Sequence, residues 1–456
     1  MSKYLELFEN ILFIINLAKI LLYEYAFYIF FNRNYKEFIS RVALDFSKIN
    51  VLYVKLFQAF ALDNTFIDEE INEVLLKYVD NVPYSEDDID IDSLVSIMRE
   101  NELTYDSDIS HINVVNNIEN NLINSGMISI VFKLIDANGK IFILKMKRNN
   151  IERKLTDALE KVNFLLNIIS YLNLFSKLNI SSVIRKNFDV IIQQTDFKKE
   201  VKNIELMKKT CKHLKYVEIP NVYKEITNKY PNTILMDYID GKTINNIDVL
   251  DYEHYAKLIV KFGYASVLNF GIVHGDLHCG NILFIKSKSK TETETQPCYK
   301  LGIIDLGILI EIDKVFRNNL IDLFSELESR DSCDTAKKLL KYLFINSYIF
   351  DQIPLVDYDN IINSIASIID SIIKENKVKA NQVQMYKIIS ILDNYLKNNV
   401  VFKNIGLIIN DEFSKLQLAL AMSHGITLRL AQNNFEKITK DALRELFGLQ
   451  YLLDDE

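Results

Sequence analysis

The sequence predicts an α+β chain of two lobes preceded by a helical extension, and three observations predict it. Only 12 Gly and 5 Pro stand in 456 residues, too few for the many turns of an all-β fold. Apolar residues recur at three- and four-residue spacings from residue 36 to about 120 and again from 313 to 456, the period of amphipathic helices. Near residue 128 that period gives way to alternation, so a sheet is expected between two helical regions.

Residues 11–31, ILFIINLAKILLYEYAFYIFF, are long enough to cross a bilayer but contain Asn16, Lys19 and Glu24. Their Leu, Ile and Phe side chains favour insertion by roughly 6 kcal/mol, while the two charges oppose it by about 2.5–3.5 kcal/mol each and Asn16 adds to that. A helix packed on the protein itself, or lying on a membrane or lipid surface or on a partner, is therefore expected, with a transmembrane span as the second reading. Val42, Phe46, Ile49, Leu52 and Val54 carry the helical pattern onward, and SEDDIDID at 85–92 reads as an acidic turn. ISIVFKLID, Asn138-Gly139 and KIFILKMKR read as two strands joined by a tight hairpin. Helices are expected at 151–176 and 197–211, a strand at 232–240 and a long helix at 251–270. Two short strands, 281–287 and 299–307, flank the low-complexity KSKTETETQP, and the remainder is helical. The expected domains are a helical extension over 1–120, a sheet-bearing lobe over 121–240 and a helix-rich lobe over 241–456.

Composition narrows the function classes. With 53 Lys and Arg against 61 Asp and Glu, the net charge is -8, which argues against a nucleic-acid binder. Charged residues at 25% and hydrophobic residues at 49% place the chain among globular proteins rather than disordered ones. Cys211, Cys279, Cys298 and Cys333 stand far apart without a CxxC pair, so neither a disulfide framework nor a zinc knuckle is indicated. A reducing compartment such as the cytoplasm follows, and Glu6 and Glu9 stand where a secretory signal would want basic residues without acids. Secretion is not expected.

The densest polar cluster is His274-Gly275-Asp276-Leu277-His278-Cys279-Gly280-Asn281, followed by Ile304-Asp305-Leu306-Gly307. Phosphoryl transfer asks for a carboxylate beside the attacking hydroxyl and for oxygen ligands that hold Mg²⁺ on the phosphates. Asp276 supplies the first, and Asn281 and Asp305 supply the second. Lys145 closes the second strand of the hairpin, where a kinase-like lobe places the lysine that contacts phosphates, and Glu200 in TDFKKEVKN is the glutamate to hold it. Singly, such an Asp also caps ordinary loops and such a Lys also points to solvent. Order and spacing together carry the reading. The two histidines and Cys279 lack a second ligand group at zinc spacing, so His274 is expected to position the loop rather than bind metal.

At this point the sequence resembles the UbiB/ADCK family of atypical, protein-kinase-like enzymes over about residues 45–325. HGDLHCGN is similar to the family's catalytic loop HADPHPGN, IDLG to its metal-binding IDFG, and FILKMKRNNIE at 142–152 to VAVKVQRPGIE. Gln194-Thr195-Asp196 through Glu200 and Asn203 resembles ExDxxxEAxN, with Gln194 in place of the first acid. In the leader, KLFQ resembles the family's KxGQ, with Lys55 and Gln58 in the Lys and Gln places and Phe57 replacing the glycine. Asn124-Ser125-Gly126-Met127 stands where the family carries an alanine-rich nucleotide loop.

The resemblance implies an atypical protein-kinase-like bilobal fold and a MgATP-dependent phosphotransferase or ATPase, linked to lipid or quinone metabolism. It implies Asp276 as the catalytic residue and Asn281 and Asp305 as ligands of Mg²⁺. Lys145, Glu200, Gly126, Lys55, Gln58 and Asp196 are implied on the nucleotide. Lys55 and Gln58, three apart on one helical face, should turn toward Gln194 and Asp196, with Phe57 buried. Two alternatives stay open: a small-molecule phosphotransferase of the aminoglycoside or choline type, whose loops have the same form, and a nucleotide-binding pseudokinase, which the altered nucleotide loop favours.

Overall fold

The apolar period of the N-terminal region becomes two helices, α1 (Ser2–Phe30) and α2 (Tyr35–Ile49), in the computed structural model of the protein. The structure describes residues 2–31, 33–50, 52–55, 75, 82–105, 121–171, 191–288, 297–329, 331–375, 410, 412, 425–431 and 434–447. Asn34 starts α2 by accepting a hydrogen bond from the Glu37 N–H at 3.2 Å. Ile39, Val42, Ala43 and Phe46 form the buried face of α2. Glu24, the acid inside the apolar stretch, is buried against α2, where both carboxylate oxygens accept from Arg41, one of them at 3.0 Å. The Arg41 guanidinium also lies 4.1 Å from the centre of the Phe27 ring. The stretch Leu7–Phe30 is long and apolar enough to cross a membrane by length and composition, and 11% of its apolar window is buried in the protein.

The chain divides into two compact units, Met1–Leu206 with Pro220–Ile239, and Met207–Ile219 with Asp240–Glu456. In the first unit, Asp90 caps helix α3 (Ile91–Glu100) by accepting from the Ser93 N–H at 3.1 Å. An antiparallel sheet follows: β1 (Leu103–Thr104), β2 (Leu122–Ser125), β3 (Ser129–Asp136) and β4 (Ile141–Lys147). Strands β1 and β2 both pair with β3, which pairs with β4. The β3–β4 turn is the expected Asn-Gly hairpin. Gly139 adopts φ +82°, and the Asp136 side chain accepts from the Asn138 and Lys140 N–H groups. Helices α4 (Ile151–Tyr171), α5 (Phe197–Thr210) and α6 (Lys224–Lys229) come next, and β6 (Thr233–Asp237) completes the sheet beside β4. Between α5 and α6 lies the two-residue strand β5 (Val217–Glu218), which belongs to the second unit.

One expectation is corrected here. The region 36–120 is not helical throughout, because β1 lies inside it and pairs with Asp136 and Ile135. A strand of two residues has no alternation to read, and its partner rather than its own pattern makes it a strand.

One core of the first unit joins Phe13 of α1, α2, residues 52–54, α4 and the sheet residues Ile234 and Met236 to Phe197 and Val201 of α5. A further core covers the opposite sheet face, where Ile130, Phe132 and Leu134 of β3 and Leu144 of β4 meet Leu94, Ile97 and Met98 of α3.

In the second unit, α7 (Tyr252–Tyr264) runs on as a π-helical turn, Ala265–Phe270. Strand β7 (Ile272–His274) pairs antiparallel with β10 (Leu309–Glu311), while β8 (Ile282–Lys288) and β9 (Pro297–Ile303) form a hairpin edged by β5. The expected strand 299–307 therefore ends early. The Asp305 side chain accepts from the Gly307 N–H at 3.0 Å, which turns the backbone out of the ladder. Helices α8 (Lys314–Ser329), α9 (Ser332–Leu343), α10 (Leu355–Glu375) and α11 (Phe435–Phe447) follow. Lys257 and Lys261 of α7 both pair with Glu445 of α11.

Candidate functional site

The chemistry-bearing residues fall into two groups, one in each unit. In the first unit, Lys145 stands on β4 between Val131 of β3 and Ile234 of β6, a position held by ladders on both sides. Its Nζ donates to Glu200 Oε1 at 2.7 Å, with side-chain exposures of 11% and 1%, and lies 5.5 Å from the Phe197 ring centre. Glu200 sits in the first turn of α5, where its N–H donates to the Asp196 carbonyl. The Asp196 carboxylate accepts from the Lys199 N–H at 3.0 Å, so Asp196 caps the helix that carries Glu200. Two residues beyond Lys145 and on the same strand face, Lys147 donates to Glu152 at 2.6 Å and to the Thr195 carbonyl at 3.2 Å. That second bond ties the start of α5 to the strand.

The turn between β2 and β3 holds Gly126, whose N–H donates to the Ser129 carbonyl at 2.9 Å. A Cβ added at Gly126 would meet nothing closer than 3.6 Å, so the fold itself leaves room there for a side chain. Sequence reasoning missed what holds this turn. Arg148 and Asp88 are buried together at 2.7 Å, and Lys154 reaches the other Asp88 oxygen at 2.9 Å. Burial alone would raise the Asp88 carboxyl. The Lys154 bond, the Ser85 N–H and the Arg148 charge outweigh it and hold the group below its ordinary value. A signal for Asp88 stood in Ser85-Glu86-Asp87-Asp88, a capping-box spacing within the acidic turn.

Lys55 closes the described helical turn 52–55 and is half-buried. Gln58 and Phe57 lie outside the described residues.

In the second unit, β7 delivers the loop. His274 pairs with Leu309, and the Gly275 N–H extends the ladder to the Ile308 carbonyl at 2.9 Å. A Cβ at Gly275 would come within 2.5 Å of Ile308 Cγ2, a branched side chain with little freedom to yield, so the close approach of the two segments requires glycine. His274 is 1% exposed, and its Nδ1 accepts from the Asp276 N–H at 3.1 Å. The proton of the neutral ring is therefore on Nε2, which donates to the Asp305 carbonyl. Burial lowers the His274 pKa against the pull of Asp305 and Asp276, which keeps the ring neutral. One buried imidazole thus fixes the backbones of both Asp276 and Asp305.

Asn281 completes the loop, its Nδ2 donating to the Asp276 carbonyl at 2.9 Å. Strands β8 and β9 pair Ile282 with Ile303, and the Ile304 N–H donates to the Asn281 carbonyl at 3.2 Å, so Asn281 and Asp305 leave the same end of one hairpin. The donor set fits a hard divalent cation. It offers a carboxylate and an amide oxygen, the amide nitrogen being tied back to Asp276. Among the described residues no group of three or more His, Cys, Asp and Glu is arranged to hold a metal. Mg²⁺ suits such a partial set, because it takes its remaining ligands from phosphates and water.

Comparison with known proteins shows the family to which the chain is similar. A family model described as the ABC1 atypical kinase-like domain matches residues 103–339. An "Uncharacterized protein in hydrogenase 1 5'region" of Clostridium pasteurianum is 24% identical over 408 residues, covering 86% of this chain and 71% of that one. The "Probable protein kinase UbiB" of Shewanella sp. strain ANA-3 is 22% identical over 298 residues, 64% of this chain and 51% of its own length. The chain thus spans about half the length of that UbiB relative. A solved Mycobacterium tuberculosis protein in complex with erythromycin aligns over 71% of this chain and 77% of its own, at 14% identity and a TM-score of 0.46.

Proposed function

Because the chain belongs to the ABC1 atypical kinase-like family, with that family's α+β kinase-like fold, we propose that it binds MgATP and transfers or hydrolyses its terminal phosphoryl group. The observation that carries the reading is the buried Lys145–Glu200 pair. A buried ion pair adds little net stability over apolar residues of the same size, so its presence calls for a use beyond the fold. A lysine held in place by a carboxylate beside a sheet is the group that phosphates require.

In this reading Lys145 contacts the phosphates, Glu200 keeps its ammonium from wandering, and Asn281 and Asp305 hold Mg²⁺. When bound, the metal would neutralise charge on the phosphate oxygens. Asp276 orients the attacking hydroxyl or water and accepts its proton, and His274 keeps Asp276 and Asp305 in register by holding their backbones. The acceptor is proposed to be a small or lipidic molecule, or water.

The apolar outer surface of α1 supports a lipid-surface partner for the same protein. Leu5, Phe8, Leu22, Tyr23 and Phe30 are exposed, while Glu24 is withdrawn into its pair with Arg41. Arg33 and Lys36 follow directly, as suits an anionic interface. ADP release by the full chain, with and without anionic lipid vesicles, tests the reading. Mg²⁺-dependent release that rises with vesicles is expected. Absence of ADP release under both conditions would overturn it.

A further inference from the structure

The Arg148 guanidinium has five N–H donors, and five bonds leave it. Nε donates to the Gly126 carbonyl at 2.9 Å, Nη1 to the Pro83 carbonyl at 3.2 Å and to Asp88 Oδ2 at 2.7 Å, and Nη2 to the Val82 carbonyl at 3.1 Å and to Ser125 Oγ at 2.6 Å. Three of these partners belong to the leader segment 82–90, which precedes α3, and two to the β2–β3 turn. The same two segments are also laced directly, since the Val82 N–H donates to the Ser125 carbonyl and Ser125 Oγ donates to the Val82 carbonyl, both at 2.7 Å. Asn149 adds two more bonds, from its N–H to the Asp88 carbonyl at 2.9 Å and from Nδ2 to the Asp87 carbonyl at 3.1 Å.

We infer that Arg148 is a positioning residue for the nucleotide, acting by clamping the turn Asn124–Met127 to the leader segment 82–90. The inference rests on the MgATP reading above. A trans peptide points its carbonyl and its N–H in opposite directions. Pinning the Gly126 carbonyl therefore fixes where the Met127 N–H points, and backbone N–H groups of such a turn are what phosphates bind. The absence of any crowding at Gly126 fits this, because a side chain there would obstruct a ligand rather than the fold. Asp88 anchors the clamp from the leader side, so the affinity of the site depends on a carboxylate 60 residues away in sequence. A lysine at 148 keeps the charge but has three donors and no planar fork, and it could not hold both segments.

The test uses the full chain with Arg148→Lys and Asp88→Asn. In Arg148→Lys the Kd for MgATP is expected to rise roughly tenfold, in the range of ordinary coupling between sites. KM for ATP should rise with it, while kcat at saturating ATP stays within about twofold, because the groups at the reacting atoms are untouched. Asp88→Asn should move both in the same direction by less. Hydrogen exchange without nucleotide should speed up at 124–127 in both variants. Wild-type Kd and KM in folded Arg148→Lys or, if that variant does not fold, in Asp88→Asn, would overturn the inference. Failure of the MgATP reading looks different. The wild type itself would then bind no nucleotide, and the exchange measurement would still decide the clamp, with unchanged exchange at 124–127 overturning it.

Discussion

Asp276→Asn is expected to lower the rate of ADP release by about 10²–10⁴-fold while leaving the Kd for MgATP within a few-fold. The backbone of Asp276 is held from both sides without use of its carboxylate, by the N–H bond to His274 and by the bond from Asn281 to its carbonyl. An amide of the same shape should therefore leave the loop in place. What it would lose, under the proposed function, is the capacity to accept a proton from the nucleophile. Rates measured at saturating ATP, beside calorimetric binding, separate the two effects. A variant that turns over like the wild type would remove Asp276 from the chemistry.

Lys145→Met is expected to destabilise the fold by about 3–5 kcal/mol, in addition to abolishing nucleotide binding, because a buried carboxylate loses the cation that compensates it. Glu200 is 1% exposed and Lys145 Nζ lies 2.7 Å from it. In the double variant Lys145→Met/Glu200→Gln most of the lost stability should return while nucleotide binding stays absent. Urea unfolding of the four proteins of this cycle checks the claim. A single variant as stable as the wild type would mean that the pair is not buried in the folded protein.

These effects concern residues that were legible in the sequence, and the reason is local. Lys145 lies on a strand with clear alternation after an Asn-Gly turn, and Glu200 follows the helix-capping Asp196 by four residues. The cluster from His274 to Asn281 could be read because its residues are close along the chain. The short strands could not be. β1, β5, β7 and β10 have two or three residues each, and their strand character comes from partners distant in sequence. The Arg148–Asp88 pair was hidden for the same reason, although Arg148 stood inside the recognised FILKMKRNNIE. Asn150 in that stretch takes φ +57°, at the place where the motif it resembles has Gly, a substitution that the left-handed region tolerates. Burial of Glu24 against Arg41 was equally out of reach, since the insertion sum treats each charge as if it stood alone.

The central claim, that Mg²⁺ and ATP bind together through groups of this chain, is tested most directly by thermal unfolding with and without MgATP in the wild type and in Asp305→Asn. Saturating nucleotide at about a hundred times Kd should stabilise the wild type by about 2.7 kcal/mol. The Mg²⁺-dependent part of that shift should vanish in Asp305→Asn, whose backbone remains held by His274 through the Asp305 carbonyl. An equal MgATP shift in both proteins, or none in the wild type, would contradict the account.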